Sequence, residues 1–229
     1  QILRIGCYVY GVTYILTQTG TLFSAGNHSV NDGILGRDTS ATNSIAYFQP
    51  VSMPAGVKVT KIWGSGDYDA ATTWAKGNDG YIYAWGTNGA QGLTGLGVTT
   101  AYITTPTKVT NLGLNVVEIY GMSNASYGTI FAKYSDGTVK GWGNNAYGQL
   151  GMPTTTVTYL TATNYTSWPF HGGNVKKVEV RGNSNVYVTL VLTNDGTVYS
   201  AGYNAWGNLG TGNSVNSNTF TQIPLDPKL

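Results

Sequence analysis

The sequence is poor in the residues that most often carry chemistry or anchor a chain. It has one cysteine, Cys7, so an internal disulfide is excluded. Charged residues make up 10% of the chain and the formal net charge is +2, which gives no basis for a nucleic-acid or anionic-membrane partner. No apolar run approaches the ~20 residues of a membrane-spanning helix, so we predict no membrane insertion.

Motifs for catalysis and metal binding are missing as well. His28 and His171 have no cysteine or carboxylate cluster at ligand spacing. Neither a Gly-x-Ser-x-Gly elbow nor a Walker-type Gly-Lys pair occurs, and the acidic residues are too scattered to suggest an acid/base couple. We therefore predict that the protein is not an enzyme, with no catalytic residues, no metal site and no cofactor.

Glycine and tyrosine, in contrast, are abundant, and the glycines mark an internal repeat. A turn glycine, an apolar-alternating strand, a second glycine and an Asn/Gly-rich tail return four times. The turn glycines are about 60 residues apart, a period that with strand-like content predicts stacked or radially arranged β units. They are Gly20, Gly80, Gly137 and Gly196.

Each repeat predicts four strands. A β-branched strand leads into a Gly/Asn-rich loop, predicted at residues 64–67 and 182–185, and then into a second strand. An Asp-Gly turn makes a hairpin into the third strand, and a Pro-marked segment after the tail suits a fourth strand at a sheet edge. The whole chain is predicted to be one all-β domain with repeats at approximately 1–46, 47–104, 105–167 and 168–229.

In the third and fourth repeats, the run from the Asp-Gly turn through the tail carries a family resemblance. Residues 136–151, Asp-Gly-Thr-Val-Lys-Gly-Trp-Gly-Asn-Asn-Ala-Tyr-Gly-Gln-Leu-Gly, and residues 194–210 resemble the repeat of the regulator of chromosome condensation family. The second repeat is looser and the first is the weakest. The resemblance implies a β-propeller of four-stranded antiparallel blades, and with the composition it predicts a phage or bacterial surface member. It is a poor guide to function, because the family includes exchange factors, a photoreceptor, an enzyme inhibitor and many uncharacterised proteins.

The number of blades stays open at this point. The chain is either an arc of a larger propeller or a closed four-bladed ring, in which the last strand, around Phe220 to Leu225, completes the first blade. An arc would leave two blade faces unburied and would need further blades or a partner to cover them. Gln1 opens directly on a strand pattern, which predicts a processed chain or a piece of a longer one.

Aromatic residues divide into three sets. Ala25, Trp85, Trp142 and Ala201 share a position before the second glycine and are predicted to fill the blade cores. Tyr147 and Trp206, in the tails, are predicted to be wedges between blades. The third set lies in the loops between first and second strands, where aromatics beside polar groups are typical of recognition surfaces. With its neighbours, this predicted binding face comprises Tyr8, Tyr10, Asp67, Tyr68, Asp69, Asn124, Tyr127, Arg181, Asn183 and Tyr187. The alternative is that these tyrosines pack under their own loops.

We therefore predict a non-enzymatic propeller that presents loops to a protein or glycan partner. The low charge and the Asn- and Thr-rich composition are typical of an extracellular setting, such as a virion, tail fibre or cell surface. One alternative is a structural component of an assembly with other copies or other chains. Another, implied by the resemblance, is a guanine-nucleotide exchange factor for a small GTPase. No basic tail suited to chromatin is present.

Overall fold

A computed structural model describes residues 2–9, 11–26, 33–37, 45–67, 70–123, 127–153, 157–183 and 186–224. Within these ranges the protein is all-β, apart from a short 3-10 helix at Thr110–Leu112. No helix among these residues has the length and hydropathy that a membrane span requires. The strands are β1 Ile2–Val9, β2 Val12–Thr17, β3 Leu22–Gly26, β4 Ile45–Pro50, β5 Val59–Asp67, β6 Ala70–Gly77, β7 Ile82–Thr87, β8 Tyr102–Lys108, β9 Val116–Ser123, β10 Gly128–Tyr134, β11 Val139–Asn144, β12 Thr158–Thr163, β13 Val175–Asn183, β14 Val186–Thr193, β15 Val198–Gly202 and β16 Ser217–Gln222.

Each repeat folds into its own four-stranded antiparallel sheet. Sheet 1 is β1–β4, sheet 2 is β5–β8, sheet 3 is β9–β12 and sheet 4 is β13–β16, and strands that follow one another in the chain are neighbours in the sheet. The side chains of β2 alternate strictly between buried and half-buried, as expected when one face of a strand packs on a core. The prediction of four-stranded antiparallel units is confirmed.

The repeated turn glycines lie where the sequence predicted, between the second and third strands. Gly137 donates its N–H to the carbonyl of Tyr134 at 3.0 Å, and its φ is +83°. Gly20, Gly80 and Gly196 have the same hydrogen bond and φ values of +80°, +83° and +88°. A hairpin of this kind needs a residue in the left-handed region, which an L side chain adopts only with strain.

The chain forms two compact units, Gln1–Val116 with Ser123–Ser126 and Val117–Met122 with Tyr127–Leu229. The first unit has an apolar core that includes Tyr14, Leu22 and Trp85. The core of the second includes Phe131, Trp168 and Phe220, whose rings meet at centroid distances of 5.9 to 6.5 Å. The four residues at the position before the second glycine are all buried, which confirms their predicted core role: Ala25, Trp85, Trp142 and Ala201.

Two of the predicted loops are in fact strand. Residues 64–67 belong to β5, where Gly64 pairs with Thr73 and Ser65 with Thr72, and residues 182–183 belong to β13. The pairing continues through the glycines because a glycine residue can take the extended conformation and still offer its N–H and C=O to the ladder. The first strands are therefore longer, and the loops that follow them shorter, than the sequence suggested.

The sheets also divide the chain later than predicted. The predicted boundaries after residues 46 and 104 fall inside β4 and β8, because those strands pair with β3 and β7 of their own sheets. The last strand was placed too late, and it does not complete sheet 1, as the closed-ring alternative required. β16 ends at Gln222 and pairs with β15, so Phe220 completes sheet 4, and sheet 1 has four strands of its own.

Candidate recognition surface

Strand order determines which loops share an end of each sheet. Because consecutive strands are antiparallel, the connections after the first and third strands lie at one end and the Asp-Gly turns at the other. We call these the loop end and the turn end. In sheet 4, Tyr203, which follows β15, donates its N–H to the carbonyl of Tyr187 at 2.9 Å. The predicted binding loop and the Asn/Gly-rich tail of this repeat are therefore adjacent.

The structure tests only part of the predicted binding face. Side chains are described for Tyr127, Arg181 and Tyr187. For Tyr8, Asp67 and Asn183 only the backbone is described, in β1, β5 and β13. The remaining four lie outside the described residues: Tyr10, Tyr68, Asp69 and Asn124.

Tyr187 does not match the expectation of an exposed tyrosine. Its side chain is only 1% exposed, because it lies on the inward face of β14, and its ring packs against Tyr127 at a centroid distance of 6.4 Å. Tyr127 is half-buried. Tyr187 is therefore not available to a partner, and the ring it packs against belongs to the preceding repeat rather than to its own loop.

Arg181 is exposed, but it is engaged with a neighbour on its own strand. It forms an ion pair with Glu179, which also pairs with Lys177 at 3.0 Å. The three residues alternate along β13 and so project from one side of the sheet. Exposed pairs of this kind contribute little to stability. They do partly neutralise the guanidinium, which makes Arg181 a weak anchor for an anionic partner.

Among the residues that the structure describes, a group of three aromatic side chains lies together at the loop end, and the sequence had predicted a different role for two of them, Tyr147 and Trp206. Tyr147 meets Tyr203 edge-on at 5.4 Å between centroids, and Tyr203 meets Trp206 at 5.5 Å. We call these three residues the aromatic patch. Tyr147 packs against Tyr203 of the following repeat, as predicted for a residue between two blades. Trp206 is 75% exposed and does not lie between two sheets of the described chain. The sequence analysis did not include Tyr203 in any of its aromatic sets, although this residue directly follows the second glycine of its repeat and so begins the tail.

Buried asparagines hold the loops that carry the patch. Asn204 accepts a hydrogen bond from the backbone N–H of Leu209 at 2.8 Å, and its amide nitrogen donates to the carbonyls of Asn213 and Val215. Asn145 does the same in the preceding repeat, with Leu150, Met152 and Pro153 as partners. Both side chains are fully buried. The patch thus stands on two loops, each with its backbone fixed from inside, which lowers the entropic cost of binding.

The segments around the aromatic patch carry no formal charge. The sequence has no acidic, basic or histidine residue between Lys140 and His171, and none between Asp195 and Asp226. Hydrogen-bonding groups there are amides, hydroxyls and the backbone. Such a surface suits a partner that is recognised by ring stacking, shape and neutral hydrogen bonds rather than by charge.

The turn end of sheet 2 holds the other notable cluster. Asp79 accepts hydrogen bonds from the Tyr83 hydroxyl at 2.8 Å and from Lys108 at 3.0 Å, and the Lys108 ammonium lies 4.1 Å from the Tyr81 ring centroid. Desolvation raises the pKa of Asp79, but these hydrogen bonds outweigh it and the net shift is downward. The open concavity beside them, about 630 Å³, extends to Pro54 and Asn78. Each of these polar groups is engaged in stabilising the turn.

The histidines offer little further chemistry. The imidazole Nδ1 of His171 lies 2.9 Å from the side-chain oxygen of Asn164, and His28 lies outside the described residues. In the part of the chain that the structure describes, no group of three or more His, Cys, Asp or Glu side chains is placed to hold a metal ion.

Comparison with known proteins places the fold. No protein-family model matches the chain. Human WBSCR16 is similar at 25% identity with a TM-score of 0.71, over 98% of this chain and 52% of that one. Prp20p from Saccharomyces cerevisiae is similar at 21% identity with a TM-score of 0.64, over 99% of this chain and 51% of that one. That structure is described together with the binding properties of Prp20p to Gsp1p and histones. The structure of yeast RCC1 (Prp20) bound to Kap60 is similar at 22% identity with a TM-score of 0.65. The match covers 98% of this chain and 49% of that one.

The chain spans about half the length of these solved structures. Its sheets, its turn glycines and its tails agree with what the sequence resemblance implied. The chain thus has the fold of RCC1-type β-propeller proteins.

Proposed function

We propose that this protein is a non-enzymatic interaction module that binds a protein or glycan partner through the loop end of its sheets. The observation that carries the proposal is the exposure of Trp206 at the edge of the aromatic patch. A large aromatic ring in water costs free energy that a partner recovers on binding, and tryptophan and tyrosine are enriched among the residues that dominate binding energies.

The support comes from three features of the same region. The patch lies at the end of the sheet where the sequence predicted recognition loops, the loops are held by buried asparagines, and the sequence segments that carry the patch have no formal charge. The extracellular or virion-surface setting stays a prediction from composition.

Exchange-factor activity for a small GTPase is the alternative function. Prp20p is described by its binding to Gsp1p, and its fold is similar to that of this chain. A nucleotide-exchange assay on Gsp1p loaded with a fluorescent guanine nucleotide tests this directly. Acceleration of nucleotide release by the purified chain would favour the alternative over a passive binding role.

The fluorescence emission of Trp206 can be used to measure partner binding. Of the six tryptophans, all within the described residues, only Trp206 is exposed, so acrylamide quenches mainly its emission. Three probes are titrated: Gsp1p, purified histones and a panel of neutral oligosaccharides. We expect at least one class to shield Trp206 saturably. Isothermal titration calorimetry then compares the variant with wild type, because Trp206→Ala lacks the fluorescent reporter. Trp206→Ala should weaken that binding by roughly 30-fold, equivalent to about 2 kcal/mol.

The control is Leu114→Ala, because Leu114 is an exposed apolar residue at the turn end, beside the turn glycine Gly80 and away from the loop end. It should leave binding unchanged. Failure of all three probe classes to shield Trp206, or equal binding by the Trp206→Ala variant, would contradict the proposed function.

A further inference from the structure

The turn end of sheet 2 departs from the other repeats at the positions that surround Asp79. Lys108 pairs with Tyr83, and the equivalent residues of sheets 1 and 4 are Pro50 and Gln222. Counted from the turn glycine, Tyr81 occupies a position that is threonine in the other repeats, at Thr21, Thr138 and Thr197. Gly77 occupies a position that elsewhere has a larger side chain, at Thr17, Tyr134 and Thr193.

Closing the turn does not require these departures. In sheet 4, Asp195 Oδ1 accepts the N–H of Thr197 at 3.1 Å, and Asp79 Oδ1 makes the same bond in sheet 2 at 3.2 Å. The Asp79 oxygen that accepts from Tyr83 and Lys108 is the other one, Oδ2. The side chains of Lys108 and Asp79 are 39% and 32% exposed, and exposed ion pairs contribute little to stability. A need for stability therefore does not account for this set of residues.

The same departures shape the concavity of about 630 Å³ beside the turn. Its lining residues are 54–57, Asn78, Asp79, Tyr83 and Lys108. A Cβ added to Gly77 would lie 2.5 Å from Asp79 Oδ1 and 3.0 Å from both the Tyr83 ring and Val57 Cγ1. A threonine or tyrosine at this position, as in the other repeats, would thus displace three walls of the concavity.

Two opposite charges stand side by side in this concavity. Lys108 Nζ lies 3.0 Å from Asp79 Oδ2. Its hydrogen bond to Asp79 raises the pKa of Lys108, and the net shift of the Asp79 pKa is downward, so both groups are charged at neutral pH. An anion attracted by Lys108 is repelled by Asp79 from nearly the same distance, and a cation meets the reverse. A ligand that carries both charges, close together, is attracted by both residues.

We propose that this concavity binds a free α-amino acid, with the ligand carboxylate on Lys108 and the ligand ammonium on Asp79. The two charged groups of an α-amino acid are attached to the same carbon atom, so their spacing matches that of the protein's own pair. The Lys108 ammonium is held in place over the Tyr81 ring, 4.1 Å from its centroid. Pro54, Ala55 and Val57 line the concavity and suit an aliphatic ligand side chain.

This site goes beyond the proposed function and does not rest on it. The concavity lies at the turn end of sheet 2, whereas the aromatic patch lies at the loop end of sheets 3 and 4. Its ligand is a small zwitterion, and the patch is proposed to bind a protein or glycan. Either proposal can fail without affecting the other.

The test is a nuclear magnetic resonance titration of the isotope-labelled whole chain with three probes. Leucine carries both charges, leucinamide lacks the carboxylate, and N-acetylleucine lacks the ammonium. The backbone amide signals of Gly56 and Gly80 report on the two sides of the concavity. We expect leucine to shift both signals saturably and to bind at least about 10-fold more tightly than either analogue. Glucose, a neutral polar probe, should leave both signals unchanged.

Two variants separate recognition of charge from a merely structural role. Lys108→Met should bind leucinamide more tightly than N-acetylleucine, because Asp79 remains as the only charge of the pair. Asp79→Asn should show the reverse preference. The control is Lys140→Met, which makes the same change of charge. Lys140 also holds its ammonium over a tyrosine ring, 5.1 Å from the Tyr134 centroid, but it does not line the concavity, so leucine binding should be unchanged.

The absence of a saturable shift with leucine would overturn the proposal. Equal affinities of the wild-type chain for leucine and its two analogues would do so as well, as would binding of glucose in preference to leucine. The comparison of the probes uses the wild-type chain, so it decides the matter even if a variant fails to fold. In folded variants, an unchanged order of affinities would show that Lys108 and Asp79 do not contact the ligand.

Discussion

The buried asparagines of the tails allow a sharp test of what holds the loops. In Asn145→Ala the backbone N–H of Leu150 and the carbonyls of Met152 and Pro153 lose their side-chain partner. Leu150 and Met152 are fully buried, whereas Pro153 is exposed and its carbonyl can bond to water. Two buried polar groups are thus left unsatisfied.

Each such group costs about 1–3 kcal/mol, so we expect Asn145→Ala to reduce the free energy of unfolding by about 3 kcal/mol. For a chain of this length, that corresponds to a drop in Tm of about 6–12 °C. Asn204→Ala is the matched comparison. It leaves one buried group, the N–H of Leu209, because its other main partners, the carbonyls of Asn213 and Val215, belong to exposed residues. Its cost should be about 1–2 kcal/mol.

Urea unfolding followed by circular dichroism gives the two free energies, and differential scanning calorimetry gives the two Tm values. The reasoning is refuted if the two variants are destabilised equally, or if Asn204→Ala is the more damaging. In either case the burial of the hydrogen-bond partners would not determine the cost.

Two further predictions test the hairpin turns. Gly20→Ala should destabilise more than Gly196→Ala: both incur left-handed strain of about 1 kcal/mol, but only at Gly20 does the added Cβ crowd a neighbour, 2.7 Å from Lys58 Cβ. Equal Tm losses would contradict this. The Thr193 hydroxyl and the Thr197 N–H lower the pKa of Asp195 to about 2. Since the pKa is lower in the folded state, the stabilisation by Asp195 is complete above about pH 4 and is lost as pH falls towards 2. The Tm difference between wild type and Asp195→Asn should vanish over that range, and a pH-independent difference would exclude the mechanism.

The sequence was a good guide wherever a local rule acts within one repeat. Gly137 follows Asp136 in a tight turn, and Trp142 stands directly before the second glycine of its repeat, so spacing along the repeat predicted the hairpin and the core position. The ends of β5 and β13 were harder to predict, because glycine and asparagine are typical of loops but do not prevent extended pairing.

The candidate surface was less predictable because exposure depends on which element packs over a residue. Tyr187 and Trp206 are both aromatic residues near loops, yet Tyr187 is buried and packs against Tyr127 of the preceding repeat, whereas Trp206 is open to solvent. Spacing in one sequence does not separate these cases. Tyr203 carried a usable signal, its place directly after the repeat's second glycine.

The consecutive strand order of the sheets bears on how such a protein arises and folds. Because each sheet is made from one continuous stretch of chain, a gene duplication or deletion of one repeat would leave every other hydrogen-bonded ladder intact. Most strand pairings also join residues close in sequence, which lowers the loop-closure cost of forming each sheet. Each sheet could then assemble as it leaves the ribosome, before the rest of the protein has been synthesised.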